Sequence, residues 1–421
     1  MEIMLNKVNC FLHYSYIPDP KVSQPESLQR WLDGDLSIPD YSNAGKPELI
    51  KKGSQALRKC FLDEIANDND KTHVIPLSGG LDSRAILVNL LELLDKSKII
   101  TVTFGIPGSP DYVSGRDIAK KAGVKWASID LSPGTWKWKT ESLIESAKRS
   151  ERPTWIFDNT VNHAINLMFG KDHVFWSGFM GDSLGCIEPI SKNTKTWEDA
   201  KTAFAQKSCI YKNKLTKNGF NPQECLPKQP FTDTSNLDYY SQLNHFIKQQ
   251  CLTKHIYSPT GYDIRYPYLN TSWVEFLLSV PHHYNDRQYL YRKILQSSWP
   301  RFFSWNSTPY RDSSRLEKLL HGKGKIMIRN FIDKTLPGLT SGIPDKNRKY
   351  VDWDYALRTQ DDLKYVVYSN IQDLKARKII YWLDLNKLWA SHHNLKINLA
   401  KELMTLAALE IHLKLKTIPS D

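Results

Sequence analysis

The feature that most restricts the fold of this chain lies between residues 73 and 94. A short apolar run, His73 to Leu77, breaks into Ser78-Gly79-Gly80-Leu81-Asp82-Ser83, and an amphipathic stretch from Leu81 to Leu94 follows at once. Strand, tight turn and helix in immediate succession put the turn at the carboxyl end of a strand and at a helix N-terminus. In a parallel sheet that is where anions bind, because unpaired backbone N–H groups and the positive end of the helix dipole both face the ligand. Gly79 and Gly80 let the backbone approach a phosphate closely, and the Ser78 and Ser83 hydroxyls supply further donors. Asp82 would repel a bare phosphate; its natural use is to hold Mg²⁺, which takes one or two carboxylates together with phosphate oxygens. The string is neither a Walker A loop nor a dinucleotide G-x-G-x-x-G turn.

The alternation continues. Strands are expected at Ile99 to Phe104, Lys125 to Asp130 and His173 to Trp176. Helices are expected at Asp111 to Ala122, closed by Gly123, and over Thr140 to Ser150 and Asn159 to Phe169. Strands alternating with helices predict an α/β fold, a parallel twisted sheet with helices on both faces. Beyond Asn236 helical periodicity dominates, with helices expected at Tyr289 to Ser297 and Leu399 to Leu415. The expected organisation is an N-terminal arm and first helix (1–66), an ATP-binding α/β core (67–186), an insertion or mobile excursion (187–235) and a mainly helical C-terminal part (236–421). The Pro- and Ser-rich residues 1 to 50 read as an extended arm packed on a larger body.

The net charge of +12 favours an anionic partner, and Arg311 to Tyr350 carries ten Lys or Arg against four Asp or Glu. Such a strip is either a solvated face or an attractor of phosphates and carboxylates. The six cysteines have neither metal-ligand nor framework spacing, and no stretch approaches the about 18 apolar residues of a membrane span. No export signal is visible at the N-terminus. The expectation is a cytoplasmic protein with all six thiols reduced. The His282-His283 and His392-His393 pairs lack a third ligand at metal spacing, and Trp126, Trp136, Trp138 and Trp155 read as aromatic core or as a pocket wall.

The string S-G-G-L-D-S resembles the pyrophosphatase loop of the ATP-pyrophosphatase (PP-loop) superfamily, and three further segments narrow the resemblance to the asparagine synthetase family. Thr103-Phe104-Gly105-Ile106-Pro107-Gly108-Ser109-Pro110-Asp111 is similar to that family's second strand and G-x-P-G-S-P-D loop. Ser177-Gly178-Phe179-Met180-Gly181-Asp182 resembles its S-G-E-G-x-D, and Ile264-Arg265-Tyr266-Pro267-Tyr268-Leu269-Asn270 its A-R-V-P-F-L-D. The resemblance implies the synthetase domain of that family without its N-terminal glutaminase domain. It implies an adenine nucleotide alpha hydrolase-like fold and two cofactors, ATP and Mg²⁺. Ser78, Gly79, Gly80, Asp82 and Ser83 would hold the β and γ phosphates, with Asp82 and Asp182 facing Mg²⁺. Leu77, Phe104, Ser177 and Gly178 would fall where the family contacts adenosine in the ATP site, Phe104 being alternatively a plain core residue. Arg265 would be catalytic, or else a salt bridge pinning the helical part to the sheet.

Three positions depart from the family pattern. Phe179 replaces a Glu, Asn270 replaces an Asp, and Thr308 falls where the family lysine stabilises the pentavalent phosphate. A neutral hydroxyl is a poor substitute for a cation aimed at developing charge; Arg311 or Lys323 is therefore expected to act as a catalytic cation. The implied function is an ATP-dependent, AMP-forming amide ligase. It would adenylate the carboxylate of a small acceptor, such as a sugar acid of polysaccharide biosynthesis, and transfer ammonia or an amine to it. The nitrogen would come from outside, for instance from a separate glutaminase. The alternatives are an RNA-modifying adenylating enzyme, nucleic acid being the less favoured partner, and a catalytically altered nucleotide-binding protein.

Overall fold

A computed structural model describes residues 2–418 apart from 66, 67, 69, 182, 187, 210, 212–214, 304–349 and 396. The elements in chain order are α1 (Glu2–Tyr14), α2 (Glu26–Leu32), α3 (Lys46–Ile65), β1 (His73–Pro76), α4 (Leu81–Leu93), β2 (Ile99–Gly105), α5 (Pro110–Ala122) and β3 (Lys125–Asp130). Next come α6 (Thr140–Arg149), α7 (Ile156–Phe169), β4 (Val174–Trp176), α8 (Trp197–Ser208) and α9 (Tyr239–Leu243). A π-helix, Asn244–Thr253, runs on into α10 (Lys254–Tyr257). The remainder is β5 (Asp263–Arg265), α11 (Thr271–Ser279), α12 (Tyr289–Ser298), α13 (Pro300–Phe303), α14 (Trp353–Thr359), α15 (Asp361–Arg377), α16 (Leu385–His393) and α17 (Ala400–Lys414).

The five strands form one sheet in the order β3-β2-β1-β4-β5, every pairing parallel. Because β1 pairs with β2 on one side and β4 on the other, the strand order reverses beside β1. A crevice opens there, outside the carboxyl ends of the strands. Alternate residues of β1 go to opposite faces. Ile75 joins the cluster under α3, α4, α11 and α12, while Val74 packs with Ile165 of α7. The expected two-faced parallel sheet is what forms.

Local signals act as the residue chemistry requires. In α5, Pro110 occupies the first turn, where its missing N–H costs nothing, and Asp111 faces the positive dipole end. Lys120 and Lys121 sit at the negative end, and Gly123 closes the helix at φ +72°, a left-handed conformation suited to glycine.

Three sequence expectations need correction. Residues 1 to 50 are not simply an extended arm: Val8, Phe11 and Leu12, at helical spacing on α1, are fully buried in the cluster built around α15 and α17. The Pro-rich composition that suggested an arm belongs to the stretch after Tyr14. Residues 187–235 are less an excursion than a packed layer, since Trp197 and Phe204 of α8 bury against Tyr14 and Tyr240. Finally, the thiols are not all reduced. Cys10 of α1 and Cys225 form a disulfide across 215 residues of sequence, and Cys60, Cys186, Cys209 and Cys251 are not disulfide-bonded. So long a separation leaves no spacing signature for sequence reading to find. Among the described residues no helix is long and apolar enough to cross a membrane.

Candidate active site

β1 continues into the loop as a strand would, Leu77 N–H donating to Val102 O at 2.8 Å. Thr103 Oγ1 donates to Leu77 O at 2.9 Å, fixing the exit of β1 against β2. The chain then turns back on its own hydroxyls. Ser78 N–H donates to Ser83 Oγ at 3.3 Å, and Gly80 N–H to Ser78 Oγ at 3.1 Å. Gly80 is the extended N-cap of α4 and has no side chain to occupy the cap, so the first N–H groups of α4 are left to the loop hydroxyls or to a ligand. Asp82 sits in the first turn of that helix.

The loop after β4 comes in from the other side of the crevice. A Cβ added at Gly181 would stand 2.6 Å from the Asp82 carboxyl, and one at Gly178 would stand 3.2 Å from Asp82 Cβ. Glycine is therefore a requirement of this close approach. Tyr268 donates its hydroxyl to Asp82 O at 2.9 Å and receives one from Tyr291 at 3.1 Å, so α12 and the turn before α11 brace the same helix start.

These loops open onto a cavity of about 520 Å³. Leu77, Ser78, Gly80, Asp82, Ser83, Phe104, Ser177 and Gly178, expected from the sequence as site residues, all line it. Gly79 is absent from the lining; its Cα packs toward Ser114 and its carbonyl turns inward. Arg265 is not among the lining residues either. Its guanidinium is ion-paired with Asp68 and with Asp263, the latter at 3.1 Å, holding β5 to the lead-in of β1. Asp182, Thr308, Arg311 and Lys323 lie outside the described residues. Phe179 is buried beside the cavity, edge-on to Tyr266 at 6.2 Å.

The cavity wall also has residues that sequence reading did not single out. Asp158 and Asn162 come from α7, Gln249 and Thr253 from the π-helix, and Tyr257 and Tyr350 from α10 and the chain before α14. Tyr350 donates its hydroxyl to the Asp158 carboxylate, packs edge-on against Phe104 at 5.4 Å, and accepts Ile106 N–H on its carbonyl at 3.0 Å. Burial raises the Asp158 carboxyl above the usual range, only partly offset by the Tyr350 hydroxyl bond. The signal that was available is a lone acid at Asp158 within Ile156, Phe157, Val161 and Ile165, all buried on one helix.

The donor set at the loop fits a metal-bound polyphosphate: a carboxylate walled by glycines, with backbone N–H groups and hydroxyls around it. Among the described residues no group of three His, Cys, Asp or Glu could hold a metal alone. Mg²⁺ needs no such group, because phosphate oxygens complete its shell.

The asparagine synthase family profile matches residues 68–414, which spans the sheet, the loop, the cavity and the C-terminal helices. The chain belongs to the asparagine synthase family. A search of curated proteins found none that matches it. As a member of the asparagine synthase family it falls in the class of ATP-dependent amide ligases, and the loop that follows β1 lies at the sheet's switch point.

Proposed function

We propose that this protein adenylates the carboxylate of a small acceptor with ATP, releasing pyrophosphate, and then transfers ammonia or an amine to the acyl-adenylate with release of AMP. The observation that carries the reading is the convergence of two loops, 77–83 and 177–181, on Asp82 at the carboxyl ends of β1 and β4. In this reading Ser78, Gly79, Gly80 and Ser83 cradle the outer phosphates. Asp82, with Asp182, faces the Mg²⁺ that neutralises them. Leu77, Phe104, Ser177 and Gly178 take the nucleoside and its α-phosphate. The cation required at the transferring phosphorus falls to Arg311 or Lys323, with Arg265 keeping β5 in place.

The α7 end of the cavity then receives the acceptor. A carboxyl group, two amides and several hydroxyls beside aromatic rings suit a hydroxyl-rich molecule such as a sugar acid, since each polar group can exchange hydrogen bonds with ring hydroxyls while the rings cover its apolar face. The purified chain is given Mg·ATP, ammonium and, separately, sugar acids, amino acids and peptides, and pyrophosphate and AMP are measured. Stoichiometric release of both with a sugar acid is the expected result. Release of neither with any acceptor would favour a nucleotide-binding protein without catalysis.

A further inference from the structure

Arg84 follows the phosphate loop directly and is fully buried, a setting in which an arginine persists only if its donors are used. One nitrogen, Nη2, donates to Gly79 O at 2.8 Å, and the other, Nη1, to Phe302 O at 2.9 Å. The guanidinium face lies over the Phe303 ring, 5.2 Å from its centroid. A single side chain therefore joins the phosphate loop to α13, at the point where the chain enters the basic segment after residue 303.

The first of these bonds has a directional consequence. The 79–80 peptide is trans, like all the described peptides, so its N–H points opposite to its C=O. With the Gly79 carbonyl turned inward to Arg84, the Gly80 N–H must point outward. It does so, meeting Ser78 Oγ at 3.1 Å, and both Ser78 and Gly80 line the cavity. Freed from Arg84, this peptide between two glycines has little to stop it from rotating and withdrawing its donor, since neither flanking residue has a Cβ to restrict it.

We propose that Arg84 is the positioning residue of the phosphate loop: it locks the 79–80 peptide with its N–H toward the polyphosphate, places a full positive charge beneath that loop, and ties the loop to α13. The proposal rests on the ATP-site reading above. Burial lowers the Arg84 pKa to about 10, which leaves it charged at neutral pH. In a site where the family lysine is replaced by Thr308, a buried cation under the loop supplies part of the positive field that holds the outer phosphates. It stands behind backbone and touches no reacting atom. Its effect should therefore fall on polyphosphate binding and spare the nucleoside end.

The experiment compares Arg84→Met, Arg84→Lys and the wild type by calorimetry with three probes: Mg·ATP, Mg·pyrophosphate and AMP. Arg84→Met should weaken Mg·ATP and Mg·pyrophosphate by the same factor, at least tenfold, and leave AMP within twofold. Arg84→Lys should fall between, because one ammonium keeps the charge but cannot fork to two carbonyls. Thermal unfolding reports whether each variant is folded. If Arg84→Met does not fold, Arg84→Lys decides alone, with at least a threefold selective loss of both polyphosphates expected. Unchanged polyphosphate affinity, or a loss shared equally by AMP, overturns the proposal while leaving the ATP reading standing; a wild type that binds no Mg·ATP overturns both.

Discussion

At the β1 end of the cavity the chain works with backbone and small side chains taken from two short runs, Leu77 to Ser83 and Ser177 to Gly181. At the α7 end it works with large polar side chains gathered from positions 158, 162, 249, 253, 257 and 350. In the proposed function the first end recognises a fixed chemical object, a metal-bound polyphosphate, for which hydrogen-bond directions set by peptide planes are sufficient. In the same proposal the second end must fit whatever the acceptor is. Side chains can be exchanged there without disturbing the sheet, so specificity belongs at that end.

The contrast can be broken by mutation. Asp82→Asn removes the only carboxylate of the 77–83 loop and should weaken Mg·ATP about 100-fold, the scale of a lost charge-assisted contact of nearly 3 kcal/mol. Calorimetry on wild type and variant checks it; equal affinities would detach this end from nucleotide binding.

Next in size is an acid effect at the α7 end. His412 of α17 is buried and neutral, its pKa lowered to about 4 by desolvation. Thr154 N–H donates to its Nε2 at 3.1 Å, which anchors the start of α7. The unfolded chain takes up the proton first, at about pH 6.5. The stability from this group is therefore complete above that pH and is lost as pH falls toward 4. Between pH 7 and 5 it should cost about 2 kcal/mol. Urea titrations at the two pH values should show a fall at least this large, and His412→Gln should reduce it, the remaining slope coming from other buried histidines, among them His163, His245 and His255, held near 4, and His392, held lower still.

Asp158→Asn should lower turnover about tenfold while Mg·ATP affinity stays within twofold, because the proposed function gives this carboxyl to the acceptor. Steady-state pyrophosphate release beside calorimetry separates the two; a parallel loss of ATP affinity would merge the two ends into one. Reducing the Cys10–Cys225 disulfide should have the smallest effect at the site, under twofold on Mg·ATP affinity. It should still lower the unfolding midpoint, since the bridge closes a 215-residue loop.

The same contrast explains what could be read in the sequence. Loop 77–83, strand β3 and the Gly123 cap depend on neighbours within a few residues, and their spacing shows directly in the chain. The helix starting at Glu2 was hidden by the proline-rich stretch that follows, although Val8, Phe11 and Leu12 carry its period. Arg84 stands out only in retrospect, as the one cation in a helix otherwise buried through Ala85 to Leu90. The pairing of Asp158 with Tyr350 is set by tertiary packing across 192 residues, and no local pattern announces it. Arg265 was read as catalytic or as a salt bridge, and only the structure gives it Asp68 and Asp263 as partners.

The π-helix Asn244–Thr253 lies in an unbroken helical run from Tyr239 to Tyr257 and delivers Gln249 and Thr253 to the cavity wall. Each residue of an α-helix advances the face by about 100°. A π turn holds one more residue than an α turn, so rewinding the same residues into α turns would rotate Thr253 and Tyr257 about the axis relative to Tyr239 and empty one wall of the cavity without altering any side chain. Here the width of a few helical turns sets which side chains face the cavity.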